Sequence, residues 1–296
     1  MEDFELTLFD RLNAIKDTIN KYGEENFYLS FSGGKDSTIL HYLLDMALPN
    51  NQIPRVYSNT GIDLLMVSMF VRKLAEKDSR IKIINPSRPI ISTLEKIGYP
   101  FKSKHHSYMV EKYQRLGMIK GVKNYLGIGD NPIKKTCPKK LQYQFTDDFK
   151  LKVSDLCCFY MKEQPLTNWA KENNRQIAIT GIMRDEGGRR VKGACIVKRG
   201  GKIKFFNPLV KITKEFEEWL IEKYNLEISP IYNPPYNFKR TGCKGCPFAI
   251  EIQSELDTLQ KLFPNERKQC ELIWKPVYSE YRRIGYRLKE KKDADN

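Results

Sequence analysis

Between Ser32 and Ser37 the chain reads Ser-Gly-Gly-Lys-Asp-Ser, a run whose residue types suit the holding of phosphate. Gly33 and Gly34 can take backbone conformations closed to other residues, so successive N–H groups can converge on an anion at the positive end of a following helix. Ser32 and Ser37 add hydroxyl donors and Lys35 adds a point charge, while Asp36 suits a metal ion or a turn. A Walker loop would need another glycine upstream, four residues before a Gly-Lys-Ser/Thr, and the chain has none there.

A second chemistry is offered by cysteine. Cys157 and Cys158 are adjacent, and Cys243-Lys244-Gly245-Cys246 is a CxxC, so the two motifs together offer four thiolates. Four soft ligands suit an iron–sulfur cluster or a tetrahedral zinc, and buried thiols without metal are the plain alternative. Adjacent cysteines seldom serve one zinc, which usually takes two separated CxxC knuckles. Of the three remaining cysteines, Cys195 and Cys270 read as small buried hydrophobes. Cys137 lies in Thr136-Cys137-Pro138-Lys139-Lys140, where neighbouring cations are expected to lower its thiol pKa. Arg184, Arg189 and Arg190, set among glycines, form either an anion-binding patch of guanidinium forks or a solvated basic hairpin.

These residues need elements to position them. Phe27 to Phe31 reads as a buried strand running into the glycine turn, and Thr38 to Ala47 continues as a helix. Leu8, Leu12, Ile15 and Ile19 recur at helical spacing, so an amphipathic helix over about 3–21 precedes the strand. Further strands are expected at 55–58, 81–84 and 176–180, with a helix over 64–75 and a hairpin over 195–206 centred on Gly200-Gly201. Strand–helix alternation predicts an α/β fold, a doubly wound parallel sheet with its ligand at the carboxyl ends of the strands. The expected organisation is a nucleotide-binding domain over 1–235, with a basic insertion at 98–150, and a mostly helical, basic region over 236–296 that contains the CxxC.

The string over 32–37 resembles the PP-loop of the ATP pyrophosphatases, which bind ATP and split it between the α and β phosphates. The Cys-Cys pair followed by Cys-x-x-Cys is similar to the [4Fe-4S] pattern of adenylylsulfate reductases, in the phosphoadenosine phosphosulfate (PAPS) reductase-like branch of that superfamily. Asn59-Thr60-Gly61 resembles the family's strand-end motif, with Asn59 in place of an Asp and Asp63 where a Glu is usual. Gly181, Glu186 and Arg190 match its Gly-x-Arg-x-x-Glu-Ser-x-x-Arg element in register, whereas the first Arg has slipped to Arg184 and the Ser is Gly187. The resemblance implies an adenine nucleotide alpha hydrolase-like fold and catalytic roles for Lys35, Asp36, Arg184 and Arg190. It also implies nucleotide contacts from 32–37, Asn59, Thr60, Gly61, Asp63, Gly181, Glu186 and Arg189, and a cluster held by Cys157, Cys158, Cys243 and Cys246.

One departure bears on function. The sulfonucleotide reductases end in a Glu-Cys-Gly-(Leu/Ile)-His motif, and here the last cysteine, Cys270, lies in Gln-Cys-Glu-Leu with no histidine after it. A PP-loop and cluster cysteines without that tail resemble instead the pyrophosphatases that insert sulfur into nucleic acid, including those of DNA phosphorothioation systems. That implies ATP, Mg²⁺ and a [4Fe-4S] cluster as cofactors, DNA or RNA as acceptor, and a cysteine desulfurase or other sulfur donor, with an oligomer compatible. The alternatives are sulfonucleotide reduction with Cys137 or Cys270 as nucleophile, or a non-catalytic nucleotide- or nucleic-acid-binding module.

A formal charge of +15 over 296 residues favours a polyanionic partner. Cations from Lys239 to Lys289 are interleaved with Trp274, Tyr278, Tyr281 and Tyr286, which read equally as base-stacking faces or as helix core. No apolar run approaches a membrane span, the amino terminus is acidic rather than signal-like, and the odd number of cysteines, 7, argues against a disulfide framework. The cytoplasm is the expected location.

Overall fold

A computed structural model describes residues 3–131, 136–183 and 193–289. The chain forms two compact units, one of Met1–Asn59, Asp63–Pro86 and Lys162–Thr241, the other of Thr60–Ile62, Ser87–Met161 and Gly242–Asn296.

The first unit is built on six strands: β1 (Phe27–Ser30), β2 (Arg55–Ser58), β3 (Ile81–Ile84), β4 (Ile177–Ile179), β5 (Ile196–Arg199) and β6 (Lys202–Phe206). Their order is β3-β2-β1-β4-β6-β5, parallel throughout except for β5, which runs antiparallel to β6 at one edge. Side chains of a strand alternate between faces. Phe27 and Leu29 of β1 therefore join one apolar cluster with Ile177 and Ile179 of β4, while Tyr28 and Ala178 join another with Val56 and Trp169. Both faces are covered, as a parallel sheet requires. Helices α1 (Phe4–Tyr22), α2 (Lys35–Ala47), α3 (Leu65–Lys77) and α8 (Lys214–Lys223) feed the first cluster and α7 (Gln164–Glu172) the second. The expected α/β doubly wound architecture is present. The β5–β6 hairpin also forms, with Gly200 at φ 57° and Gly201 at φ 75°, the positive values that a tight two-residue turn demands.

Helix α2 begins at Lys35, three residues before the expected start, because Gly34 at φ −77°, ψ 164° serves as its N-cap. The body of α2 is tied to β2 by a polar network that the sequence did not announce. Arg55, with no exposed surface, donates to Asp45 at 2.6 Å, to Asn51 at 2.7 Å and from Nε to His41 Nδ1 at 3.1 Å. Burial, then the Arg55 charge, pushes the His41 pKa down to about 4, so its ring is neutral and accepts the Arg55 proton. His41, Asp45 and Asp78 lie close enough to hold a metal ion, but Arg80 binds both carboxylates at 2.8 Å and the site is already filled by guanidinium. Asp45→Ala is expected to destabilise the protein by about 3 kcal/mol, since it strands a buried arginine, and thermal unfolding would show it as a drop of several degrees.

The second unit is helical: α4 (Ile90–Ile97), α5 (Lys104–Leu116), α6 (Lys120–Leu126), α9 (Ile252–Leu262), α10 (Pro264–Ile273) and α11 (Lys275–Arg283). The carboxyl-terminal helices pack with residues 87–161, including the basic segment, rather than standing alone: the Phe101 and Tyr281 rings meet edge to face at 4.5 Å. Within the basic segment, buried His106 joins Tyr125 Oη at 2.9 Å to Gln144 Oε1 at 2.7 Å, which ties α6 and the 3-10 turn Lys139–Phe145 to α5. Among the described residues no helix is long and apolar enough to cross a membrane.

Candidate functional site

Strand β1 delivers the chain into the loop 31–34, and Gly33 is required there twice over. Its φ is 69°, and a Cβ would collide with Val71 of α3. The two serines close a ring inside the loop. Ser37 Oγ donates to the Gly34 carbonyl at 3.0 Å and accepts from Ser32 N at 3.2 Å, while Ser32 Oγ lies 3.0 Å from Ser37 Oγ and accepts from Gly34 N at 3.3 Å. The Ser37 hydroxyl, expected as a donor to phosphate, is buried here and also shapes the loop. Gly181, just beyond β4, lets that strand end approach the start of α2: a Cβ there would stand 3.2 Å from Asp36 Cβ.

A cavity of about 580 Å³ opens at this loop, within the first unit. Lys35, Lys214, Lys239 and Arg240 supply its cations and Asp36, Glu217 and Glu218 its carboxylates. Tyr232 and Thr241 line it too: Lys35 N donates to Tyr232 Oη at 2.9 Å, Tyr232 Oη is 2.8 Å from Thr241 Oγ1, and the Lys35 ammonium sits 5.4 Å from the centre of the Tyr232 ring. Of these residues, Lys214, Tyr232 and Thr241 carry no site signal in the sequence, while Lys239 and Arg240 read there as part of the basic carboxyl-terminal region rather than of this loop. They stand about 180 residues or more from the loop, and the only other local signal was the proline-rich stretch over 230–235.

Other expected site residues fall elsewhere. Asn59 follows β2, donates from its backbone to Ile84 O at 2.8 Å and from its amide to Asn85 at 3.1 Å; Asp63 accepts from Tyr57 Oη at 3.0 Å and faces Lys162 at 3.7 Å. Neither lines the cavity among the described residues. Thr60 and Gly61 belong to the second unit, where Thr60 Oγ1 accepts from Ile62 N at 3.2 Å. Arg184, Glu186, Arg189 and Arg190 lie outside the described residues.

All four candidate ligand cysteines belong to the second unit. Cys157 is buried and Cys158 partly exposed, immediately before a π-helical turn at Phe159–Glu163, a feature frequent at functional sites. The Cys243–Cys246 knuckle closes with Cys246 N donating to Cys243 O at 3.2 Å. Buried side chains hold its backbone: Trp274 Nε1 donates to Lys244 O at 3.0 Å, Tyr278 Oη to Gly245 O, and Gly245 N donates to Glu255 at 3.0 Å. Gly245, at φ 60°, has no room for a Cβ against Tyr278 and Cys270. The Lys244 ammonium is turned inward onto Glu266 at 3.1 Å and Gln269 at 2.6 Å.

Burial raises the Cys246 thiol pKa, and the nearby Cys243 and Cys158 thiols raise it further, so the two motifs converge. A tetrahedral zinc with Zn–S near 2.3 Å needs sulfurs about 3.8 Å apart. Adjacent cysteines such as Cys157 and Cys158 seldom serve one tetrahedral zinc, whereas an iron–sulfur cluster is held by four thiolates. The soft, all-thiolate donor set fits an iron–sulfur cluster.

Two expectations and one alternative are corrected. Cys137 has 4% exposure and its pKa is pushed up to about 11 by burial, which outweighs the lowering by Lys102. Cys270 is fully buried, as its reading as a small hydrophobe expects, and burial pushes its pKa up to about 12, which counts against the alternative of Cys270 as nucleophile. Neither offers a thiolate at neutral pH. In the carboxyl-terminal helices Trp274, Tyr278 and Tyr281 have no exposed surface, so the stacking reading of those rings gives way to core. Arg282 pairs with Glu271, Arg283 with Glu280 at 2.6 Å, and Arg287 donates to the Lys102 carbonyl at 2.8 Å.

The family model of the phosphoadenosine phosphosulfate reductase domain matches residues 131–249, a span that contains all four candidate ligand cysteines and Gly181. No curated protein matches the chain. Among solved structures the chain is similar to the phosphoadenylyl-sulfate reductase of Candida auris in a phosphate complex, at 13% identity and TM-score 0.41 over 74% of this chain and 88% of that one. It is similar to the tRNA thiolase NcsA of Methanococcus maripaludis with its [4Fe-4S] cluster, at 17% and 0.41 over 95% and 80%. It is also similar to the NH3-dependent NAD synthetase of Campylobacter jejuni in complex with nitrate, at 14% and 0.43 over 98% and 99%. The expected resemblance to the PAPS reductase domain is borne out over residues 131–249.

Proposed function

We propose that the protein is an ATP pyrophosphatase that adenylates an acceptor for sulfur transfer, with nucleic acid as the acceptor. The observation that carries this reading is the glycine loop 32–34 opening α2 into a cavity that holds four cations. Polyphosphate is the ligand class such a site suits, because helix-terminal N–H groups and mobile ammonium and guanidinium groups each favour negative charge. An acceptor oxygen attacks the α-phosphorus, the α–β bridging bond breaks, and pyrophosphate leaves with the negative charge. Lys35, with Lys239 and Arg240, stabilises that charge, and Arg184 and Arg190 are assigned the same role by the family resemblance. Asp36, a carboxylate of the cavity lining beside the loop, would hold Mg²⁺ next to the phosphates, whereas Asp63 pairs with Tyr57 and Lys162. A sulfur nucleophile then displaces AMP from the acceptor. A [4Fe-4S] cluster on Cys157, Cys158, Cys243 and Cys246 would supply a site for holding that sulfur. Release of pyrophosphate from ATP, dependent on added nucleic acid, tests the reading; ATP left intact in every condition would defeat it.

The polyanion surface we favour is the segment 98–150, which has 11 Lys and Arg against 4 Asp and Glu, a net +7 of the chain's +15. On α5, Tyr108 is exposed with the Lys112 ammonium 5.1 Å from its ring centre, and Lys120 and Lys123 are exposed on α6. Reversing Lys112, Lys120 and Lys123 to Glu is expected to weaken single-stranded DNA or RNA binding at least tenfold and to flatten its salt dependence by about two units of log–log slope. Filter binding across a salt series reads both. Reversal of Arg282 and Arg283 is expected to lower stability instead, since their charge is already used by Glu271 and Glu280.

A further inference from the structure

A backbone N–H has one proton to give. That of Lys35, at the first position of α2 where helix donors have no partner within the helix, is given to Tyr232 Oη at 2.9 Å. The phenol oxygen is in turn 2.8 Å from Thr241 Oγ1, and both hydroxyls press on the loop: a Cβ on Gly34 would meet Thr241 Oγ1 at 3.0 Å and Tyr232 Oη at 3.3 Å. Two neutral hydroxyls thus cover the positive end of α2, in a cavity whose cations include Lys35, Lys214, Lys239 and Arg240. Burial raises the phenol pKa, so the hydroxyl stays protonated and neutral.

We propose that Tyr232 is a displaceable latch on the phosphate loop, its hydroxyl holding the Lys35 N–H until an oxygen of a polyphosphate replaces it. The inference rests on the ATP reading and adds a residue that sets the affinity of the same site. Exchange is favourable because a hydrogen bond to an anionic oxygen is about twice as strong as one to a neutral hydroxyl. Lys35 is tied to the same event, since its ammonium lies over the Tyr232 ring and must turn from it to meet phosphate. The latch keeps the loop donor satisfied and, by the same bond, weakens binding.

The test compares Mg²⁺-pyrophosphate and Mg²⁺-ATP binding by calorimetry in the full chain and in Tyr232→Phe. Phenylalanine keeps the ring and removes only the competing oxygen, so Kd is expected to fall about three- to tenfold, the equivalent of one neutral hydrogen bond. Thr241→Val, which loosens the phenol from its second partner, is expected to tighten binding in the same direction by less. Binding that is unchanged or weaker in Tyr232→Phe, with the parent still binding, would overturn the latch and leave the ATP site standing. Binding by Tyr232→Phe alone supports the latch, and binding by neither protein sinks both the latch and the ATP reading.

Discussion

Lys35→Ala is expected to lower the rate of pyrophosphate release from ATP by a factor of about 10³, and Asp36→Ala to do the same, with little change in thermal stability. Removing a single pre-aimed charge-stabilising group at a reaction centre costs a factor of about 10²–10³. Here Lys35 is the cation that follows the glycine loop directly at the start of α2, and the metal that Asp36 is assigned to hold adds to the loss. Both side chains are only partly buried and line the cavity, so neither truncation empties core. Ser37→Ala makes the contrast sharp, because its buried hydroxyl bridges Gly34 and Ser32, and its loss should lower stability as well as rate. Either Lys35→Ala or Asp36→Ala cleaving ATP at the parental rate, in a direct pyrophosphate assay, would remove the loop from the chemistry.

The parts of this site that could be read in advance are those fixed by short-range physics. A run of apolar residues ending in Gly-Gly and followed by an amphipathic run dictates strand, turn and helix, and Phe27 to Ala47 folds that way. The β5–β6 hairpin was equally legible, because only a glycine pair takes two positive φ values cheaply. What the sequence hides is partnership. Helical spacing gives Tyr278 and Tyr281 a common face but not what covers it; the structure covers it with the CxxC knuckle, to whose Gly245 and Pro247 carbonyls their hydroxyls donate. Lys139 and Lys140 beside Cys137 suggest a lowered pKa only while the thiol is imagined in water, and burial reverses the sign. Tyr232 and Thr241 carry no motif at all, since a hydroxyl reaching a backbone N–H some 200 residues away needs no particular neighbour in sequence.

Anaerobically purified protein is expected to be brown and to carry about four irons per chain, the content of one Cys₄-ligated [4Fe-4S] cluster. Cys157→Ser and Cys246→Ser should each lose most of that iron and the visible absorption, because each takes one of four soft ligands from a set in which the two motifs already converge. Cys195→Ser is the control: Cys195 lies in the first unit, apart from the cluster motifs in the second, and its replacement should leave iron untouched. Loss of the cluster should also loosen the second unit, because the knuckle is anchored by Trp274, Tyr278 and Glu255 and joins the segment of Cys157 and Cys158 to the carboxyl-terminal helices. Iron removal by a chelator would then lower the unfolding temperature of the parent and leave that of Cys246→Ser unchanged, a difference that does not depend on knowing the acceptor. Colourless anaerobic protein holding one zinc per chain would overturn the assignment, since a closed structural zinc site takes four such ligands without iron.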